Sequence, residues 1–407
     1  MRTEQSPITN RPAIPLASSL DVIQPSAIRE IANVAFAMDD VFALHFGEST
    51  MPTPPYIAAA LAQAVADGYT FYSPNAGLLS LRTVLAAQYA RLHGVTLDPA
   101  RELAVTASGT QALNVAIRCV LNPGDEAIVL SPNWPNGAAI VAMFGATPVE
   151  VPLEMTPARF AVDFAALEAA VSPRTKLLLY TSPSNPLGWV ATVDEQRQLL
   201  DFCRRHGLWL MADEVYERLF YGGPVAPSIL RLCTRDDAVI VVQSFSKTYC
   251  MTGWRLGWLV SRADLCHKAA QLNEFIVSHA ASMTQRAGET ALAQGEDDVA
   301  AMVELFGERM AFCHAALAAM PGVTVPKPEG AFYLFPRIEG VTDSFDFALR
   351  LLRAEGVAVA PGVAFGRGGE GAIRICCAPD TAVLEPALDR LARFLSRGLA
   401  SPVGNRR

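Results

Sequence analysis

Short apolar runs rich in Val, Ile and Leu alternate along this chain with longer stretches of helical period. The clearest strand-like runs are LAVTAS, EAIVLSP, KLLLYTSP, LWLMADE and AVIVVQ; TQALNVAIRCVL and VDEQRQLLDFCRRHG are the clearest helical stretches. Near-continuous apolar strands that alternate with helices are typical of a mostly parallel sheet covered on both faces. The sequence therefore predicts an α/β fold whose large domain contains a doubly wound, mostly parallel sheet.

Polar or kinked residues stand at the end of each predicted strand. They are Ser108-Gly109-Thr110, Asn133-Trp134, Asn185 within a proline-bracketed turn, Asp213, and the run from Ser244 to Lys247. Ligands bind outside the carboxyl ends of the strands in doubly wound sheets. We therefore expect these residues to converge on one edge of the sheet and to form a binding site.

The pattern changes from about Asp264 onward, where long helical stretches and short strands replace the regular alternation. This change predicts a second, smaller α+β domain, onto which the N-terminal segment packs. The predicted divisions are a flexible N-terminus 1–13, an N-terminal segment 14–46, a large domain 47–289, a small domain 290–398 and a flexible tail 399–407.

Charge and hydropathy exclude some classes of function. The chain has 407 residues and a formal net charge of -7, with no basic tract of the kind that binds nucleic acid. No apolar run approaches the roughly 20 residues of a membrane span, and the polar start MRTEQSPITNRP lacks the apolar core of a signal peptide. We expect a cytoplasmic protein without nucleic-acid or membrane partners. The cysteines and histidines are scattered, so no metal site is predicted.

The run SFSKTYCMTGWRLGW contains Lys247, which follows an apolar strand and stands among hydroxyl side chains. A lysine forms a Schiff base with an aldehyde only when its amine is partly neutral, and a desolvated position near a cation such as Arg255 favours that state. The hydroxyls and the arginine suit an aldehyde that carries a phosphate. The alternative is a solvated lysine at a strand-to-helix turn.

Ser108-Gly109-Thr110 stands where a strand meets a helix whose first backbone N–H groups are free. Such a turn can bind a phosphate, because Gly109 permits close approach and the hydroxyls add donors. An ordinary helix cap is the alternative for the turn. Arg255 offers a planar pair of donors to the same phosphate, and a surface salt bridge is its alternative.

Asp213 ends an apolar stretch, where an unpaired carboxylate would be costly. A protonated ring nitrogen would pair with it and would make that ring an electron sink; a buried helix cap is the alternative. Tyr216, three residues later, can offer its hydroxyl to a phenolate oxygen, or it is a core tyrosine.

Three further residues have one functional interpretation and one structural interpretation each. Trp134 stacks on a heteroaromatic ring or fills the core. Asn185 donates to a ring oxygen and a substrate carboxylate, or it only forms a turn. Arg374, in the apolar strand AIRIC, pairs with a carboxylate ligand or takes part in a buried ion pair.

Taken in order, these motifs resemble the class I/II aminotransferases of the aspartate aminotransferase fold, which use pyridoxal phosphate. The resemblance covers nearly the whole chain. It is carried by FGESTMPTP, YSPNAGLLSLR, SGTQAL, SPSNPLG, DEVYERLFY, SFSKTYCMTGWRLGW, EGAFYLFP and AIRICCAP.

The resemblance implies a role for each matched residue. Lys247 is the Schiff-base lysine, Asp213 contacts the pyridine nitrogen, Tyr216 and Asn185 contact the ring hydroxyl, and Trp134 stacks on the ring. The implied phosphate ligands are Ser108, Gly109, Thr110, Ser244, Ser246 and Arg255. Arg374 binds the substrate α-carboxylate and Gly47 lines the pocket. Tyr72 matches the tyrosine that reaches the neighbouring subunit's phosphate, which implies a homodimer with shared sites.

The resemblance also implies ping-pong transfer of an amino group between an amino acid and a 2-oxo acid. The chain departs from the family pattern after Gly47-Glu48, where Ser49, Thr50 and Met51 replace the usual proline and aspartate. No second arginine or lysine matches the family residue that binds a side-chain carboxylate, so strict dicarboxylate specificity is not expected.

Two other functions are alternatives to amino transfer. Carbon–sulfur β-elimination could use the same cofactor contacts. A regulator with an aminotransferase-like domain would need a DNA-binding domain before Phe46, and only a few dozen residues stand there, so we expect no such function.

Overall fold

The computed structural model describes residues 21–398. The predicted flexible ends, 1–13 and 399–407, lie outside the described residues, as does the beginning of the segment 14–46. The helices of the described part are α1 Ala27–Ala35, α2 Pro55–Ala66, α3 Leu79–His93, α4 Gly109–Val120, α5 Asn136–Met143, α6 Phe164–Ala170, α7 Val193–His206, α8 Phe245–Thr248, α9 Ala263–Glu274, α10 Ser282–Gln294, α11 Glu296–Ala318, α12 Ser344–Glu355 and α13 Thr381–Ser396. Its strands are β1 Phe42–Ala43, β2 Leu103–Thr106, β3 Glu126–Ser131, β4 Thr147–Pro152, β5 Glu154–Met155, β6 Phe160–Ala161, β7 Thr175–Thr181, β8 Trp209–Asp213, β9 Val239–Ser244, β10 Gly257–Ser261, β11 Val323–Thr324, β12 Tyr333–Leu334, β13 Arg337–Ile338, β14 Val357–Ala358, β15 Ala360–Pro361 and β16 Ile373–Cys376.

A seven-stranded sheet in the order β2-β10-β9-β8-β7-β3-β4 forms the centre of the molecule. Strand β10 is antiparallel to both of its neighbours, β2 and β9, and the other pairs are parallel. The predicted mostly parallel sheet is therefore confirmed. The antiparallel β10 was not predicted, because its direction depends on the chain reversal between residues 245 and 256.

Both faces of this sheet are buried. In β3, Ile128 and Leu130 belong to the apolar core on one face, whereas Ala127 and Val129 belong to the core on the other. Successive side chains of a strand point to opposite faces, so a strand covered on both sides needs apolar residues at every position. This requirement explains the continuous apolar runs of the sequence.

The N-terminal and C-terminal parts of the described chain share a second apolar core. Ile31 of α1 and Leu44 pack there with Leu351 of α12 and Ile373 of β16. Strand β1 pairs with β14, and β12, β16 and β15 form a separate three-stranded sheet. Helix α10 extends across residue 289 and packs on α2 and α3. The domain boundaries stay predictions.

Local sequence signals explain where individual helices begin and end. Helix α7 begins with a capping box, in which the Thr192 side chain accepts from the backbone N–H of Glu195 and the Glu195 carboxylate accepts from that of Thr192. It ends at Gly207, whose left-handed φ of 65° suits glycine. Between residues 21 and 398, no helix is both long enough and apolar enough to span a bilayer.

Candidate active site

A cavity of about 360 Å³ opens at the carboxyl edge of the large sheet. Strands β2, β3, β7, β8 and β9 all end toward this edge, and the antiparallel β10 begins there, opposite Thr106 and Ser244. Every predicted site residue except Ser108 and Tyr72 lines the cavity: Gly47, Gly109, Thr110, Trp134, Asn185, Asp213, Tyr216, Ser244, Ser246, Lys247, Arg255 and Arg374.

Lys247 lies on the short helix α8, directly after β9, and its amine points into the cavity. Nζ donates a hydrogen bond of 2.6 Å to the carbonyl oxygen of Gly47. The pKa of this amine is lowered from 10.5 to about 8, mainly by burial. The charges of Arg374 and Arg255 contribute to the decrease, and Cys376 and Glu48 oppose it. A substantial fraction of the amine is therefore neutral near physiological pH, as a nucleophilic lysine requires.

Asp213 is the last residue of β8 and is buried. Burial raises the pKa of its carboxyl from 3.8 to about 7, although the Val215 N–H, whose nitrogen is 3.3 Å from Oδ1, and the charge of Lys247 act against the increase. No arginine or lysine forms an ion pair with Asp213 in the described part of the chain. A cationic group in the cavity would satisfy this carboxylate.

The first turn of α4 is packed tightly against β9 and β10. A Cβ atom on Gly109 would be 3.1 Å from Cβ of Ser244, and one on Gly257 would be 2.5 Å from the backbone nitrogen of Gly109. Ser108 caps the helix by accepting from the backbone N–H of Gln111. Because the first N–H groups of a helix have no intrahelical acceptor, Gly109 and Thr110 present free donors at the cavity.

Further hydroxyl and guanidinium groups stand beside this helix start. Ser244 Oγ donates to Ser246 Oγ at 2.9 Å and accepts from the Ser246 N–H at 3.1 Å. Arg255 has a left-handed φ of 53°, and its Nη1 donates to the carbonyl oxygen of Thr252 at 2.6 Å. These groups and the helix start form a donor-rich pocket that suits a phosphate.

Arg374 of β16 is 2% exposed and lies on the opposite wall of the cavity. Nη1 donates to Oδ1 of Asn185 at 3.1 Å, and Nη2 donates to the carbonyl oxygen of His45. The guanidinium carbon lies 4.7 Å from the ring centroid of Tyr333, and Nε has no partner. No carboxylate within residues 21–398 pairs with Arg374, so the buried ion pair considered from the sequence is not formed there.

Two aromatic residues complete the walls. The hydroxyl of Tyr216 is 2.9 Å from the hydroxyl of Tyr333, and burial raises the pKa of both phenols. Trp134 is half-buried in the loop after β3. Its backbone N–H donates to Oδ1 of Asn133, which also accepts from the Thr181 hydroxyl and thereby holds the loop in place.

The sequence and structure both match known proteins. The family model described as aminotransferase class I and II matches residues 39–391. The chain belongs to the class I and II aminotransferases. This aminotransferase is 34% identical over 386 residues to the aspartate aminotransferase of Pyrococcus abyssi, covering 93% of this chain and 98% of the relative. It is 33% identical over 385 residues to aromatic-amino-acid aminotransferase 2 of Thermococcus litoralis, covering 93% and 98%.

The structure agrees with that of a solved relative. A single mutant of Thermus thermophilus aspartate aminotransferase is 31% identical and superposes with a TM-score of 0.86, covering 94% of this chain and all of the other. The chain therefore has aminotransferase activity of class I and II, and its family depends on pyridoxal phosphate. The relatives share the reaction, whereas the substrates in their names differ.

Two predicted residues of the aminotransferase lie away from the cavity lining. Ser108 acts as the cap of α4 just behind the lining. The Tyr72 side chain is 91% exposed, and its ring meets the ring of His279 edge-on at 5.8 Å. Its predicted role at a neighbouring subunit's phosphate stays a prediction.

The cavity of the aminotransferase also contains residues that the sequence did not single out. Ser26, Arg29, His45 and Phe46 line it, and Tyr333 stands behind it. Tyr333 lies within the motif EGAFYLFP, which was a usable signal. Phe46 begins the motif FGESTMPTP, whereas Ser26, Arg29 and His45 belong to none of the motifs named above, so only the tertiary packing shows that these three line the cavity.

Proposed function

We propose that this aminotransferase binds pyridoxal phosphate in the cavity through Lys247 and transfers an amino group from an amino acid to a 2-oxo acid by a ping-pong reaction. The observation that carries the proposal is that one cavity is lined by a partly neutral amine and by a buried guanidinium that forms no ion pair with residues 21–398. The first is Lys247 and the second is Arg374. An amino acid needs both, one near its α-carbon and one at its α-carboxylate.

The donor set fits the cofactor. Lys247 would attach to its aldehyde, Asp213 would pair with its ring nitrogen, and the start of α4 with Arg255 would bind its phosphate. Trp134 would contact its ring. When bound, pyridoxal phosphate supplies an aldehyde and an electron-withdrawing ring that stabilises negative charge at the substrate α-carbon.

The side chains of the cavity have separate tasks in this proposal. Arg374 orients the amino acid by its α-carboxylate, with its own fork fixed by Asn185 and by the His45 carbonyl. The Lys247 amine would take the proton from the α-carbon of the substrate and hold it. Asp213 would hold the cofactor's ring nitrogen in its protonated form, and the hydrogen bond between Tyr216 and Tyr333 fixes the hydroxyl of Tyr216.

A homodimer with shared active sites is part of the proposal. Three large aromatic residues are strongly exposed: Phe71 at 80%, Tyr72 at 91% and Phe275 at 86%. Several exposed large apolar side chains often mark a surface that binds another protein. A second copy would cover them and would bring Tyr72 to the other phosphate site. The substrates are amino acids and 2-oxo acids, and the cytoplasmic location stays a prediction.

The experiment that tests the proposal uses the purified full-length chain with added cofactor and a panel of amino acids and 2-oxo acids. The expected products are a new amino acid and a new 2-oxo acid in equal amounts, detected by mass spectrometry. Lys247→Ala should abolish transfer. Lys176→Ala should not, because Lys176 is an exposed lysine whose amine donates to the Pro173 carbonyl oxygen, away from the cavity. Release of ammonia and a thiol from a sulfur amino acid, without transfer, would instead identify a β-lyase.

A further inference from the structure

The turn that follows β8 has cavity-lining residues on one side and buried acids on the other. Asp213, Val215 and Tyr216 line the cavity. Glu214 and Glu217 do not line it, and they are 1% and 6% exposed. The backbone N–H of Glu217 donates to the Glu214 carbonyl oxygen at 2.9 Å, which closes the turn. The orientation of Asp213 and Tyr216 therefore depends on how the two acids behind them are held.

Glu217 is held by His93, the last residue of α3. Oε2 of Glu217 is 3.0 Å from Nε2 of His93, and both side chains are buried. Burial and the charge of Arg231 act to lower the pKa of this imidazole, but the hydrogen bond to Glu217 and the charges of Glu217 and Glu214 raise it above 6.5. The pair thus favours the charged form of His93, and its contact with Glu217 is a charge-assisted hydrogen bond.

Glu214 anchors the beginning of the same turn. Its Oε1 accepts from the backbone N–H of Ile229 at 3.0 Å, and the Ser228 side chain also hydrogen-bonds its carboxyl. Burial, followed by the charge of Glu217, raises the pKa of the Glu214 carboxyl from 4.5 to about 8. Glu214 is therefore largely neutral at neutral pH, and it holds the turn through hydrogen bonds rather than through its charge.

Stability alone does not account for a buried ion pair at this place. Replacing such a pair by apolar residues of similar volume often leaves a protein equally stable or more stable. An apolar pair would fill the same space, but it would not fix the turn at one distance and in one direction, as a hydrogen bond does. Nothing in the proposed reaction at the α-carbon uses Glu217 or His93.

We propose that Glu217 and His93 are positioning residues for the cofactor, because their ion pair holds the turn 213–217 so that the Asp213 carboxylate faces the cofactor's ring nitrogen. The inference rests on the proposed function, because it takes Asp213 as the partner of that nitrogen. Glu217 and His93 do not line the cavity and act only through Asp213. The phosphate pocket at the start of α4 belongs to another part of the chain and should not depend on them.

The test measures equilibrium binding to the full-length enzyme of pyridoxamine phosphate, the amine form of the cofactor, which forms no Schiff base with Lys247. Two analogues are compared with it. The first has C–H in place of the ring nitrogen, and the second lacks the phosphate. In the wild type we expect the analogue without the ring nitrogen to bind at least about tenfold more weakly, because a hydrogen bond to a charged group is lost. This ring-nitrogen ratio reports on Asp213, and the phosphate ratio reports on the phosphate pocket.

Substitution of the ion pair should change one ratio and not the other. Glu217→Gln, which removes the charge and keeps the shape, should lower the ring-nitrogen ratio by about threefold or more and leave the phosphate ratio unchanged. His93→Leu should have the same effect. His93→Gln should retain more of the ring-nitrogen ratio, because its amide can donate from nearly the position of Nε2. Thermal unfolding checks that each variant is folded, and the two His93 variants decide the question if Glu217→Gln is not.

Glu126 provides a matched control. Like Glu217 it is a 6% exposed acid in an ion pair, formed with Arg174, and it is the first residue of β3 and does not line the cavity. Glu126→Gln should leave the ring-nitrogen ratio as in the wild type, even where it lowers the unfolding temperature. An equal loss of the ratio in Glu126→Gln and Glu217→Gln would mean that any weakened ion pair lowers it, which contradicts a positioning role.

Failure of this inference and failure of the proposed function give different results. A wild-type ring-nitrogen ratio near one would refute the pairing of Asp213 with the ring nitrogen, and the role of Glu217 and His93 would fall with it. A high wild-type ratio that Glu217→Gln and His93→Leu leave unchanged would overturn the role of Glu217 and His93 alone.

Discussion

The Lys247 amine should react with an aldehyde far faster at neutral pH than a free lysine does. Its pKa of about 8, against 10.5 for an unperturbed lysine, arises mainly from burial. A difference of about 2.5 pKa units makes the neutral fraction of the amine at pH 7 larger by a factor of about 300. The lower pKa should increase the reaction rate, because the neutral amine is the nucleophile and a lower pKa enlarges its population.

The assay follows the rate at which cofactor-free enzyme forms a borohydride-reducible bond with pyridoxal phosphate between pH 6 and pH 10.5. The same reaction is measured in parallel with N-acetyl-lysine. Comparison of the two rates removes the effect of the aldehyde's own ionisations. The enzyme's rate should rise about tenfold per pH unit and level off near pH 8, while that of the free amine continues to rise. A rate that rises in parallel with the free amine up to pH 10 would refute the assignment of a desolvated, reactive Lys247.

Three substitutions test the rest of the site. Asp213→Ala should retain bound cofactor but lose proton abstraction from the amino acid by a factor of about 10²–10⁴, measured by stopped-flow absorbance; near-normal rates would leave Asp213 as a helix cap. Arg374→Ala should keep its cofactor and lose about 2–5 kcal/mol of transition-state stabilisation with amino acids, and Arg374→Lys should recover little, because an ammonium lacks the planar fork. Gly257→Ala, whose Cβ would be 2.5 Å from the Gly109 nitrogen, should lower the free energy of unfolding by about 1–3 kcal/mol and weaken cofactor binding. A Cβ atom on Gly253 would meet no atom of residues 21–398 within 4 Å, other than those of its chain neighbours. Gly253→Ala should therefore change neither the free energy of unfolding, measured by denaturant titration, nor the affinity for the cofactor.

The sequence predicted the parts of the molecule that local pattern determines. The sequence shows four strands clearly, β3, β7, β8 and β9. Both faces of these strands are buried, and this requires apolar residues along their whole length. The residues that follow these strands were expected at one edge, and the cavity brings most of them together. Their individual roles stay predictions, since proximity in a cavity does not assign a reaction step.

Other parts depend on contacts between distant segments and left little trace in the sequence. His45 belongs to an irregular segment whose position is set by pairing of β1 with β14 and by packing of α1 in the second apolar core. Arg29 looks like one exposed residue of an amphipathic helix, and only the orientation of α1 shows that it reaches the cavity.

Two hydrogen bonds at the wall of the cavity join residues that are far apart in the sequence. Arg374 and His45 are 329 residues apart, and Lys247 and Gly47 are 200 residues apart. When the ribosome has synthesised all strands of the large sheet, Arg374, which lines the cavity, has therefore not yet been synthesised. If Arg374 binds the substrate carboxylate as proposed, a nascent chain gains affinity for that carboxylate only after the last strand, β16, has been released and has docked. Retention on an immobilised carboxylate would accordingly distinguish finished molecules from shortened ones.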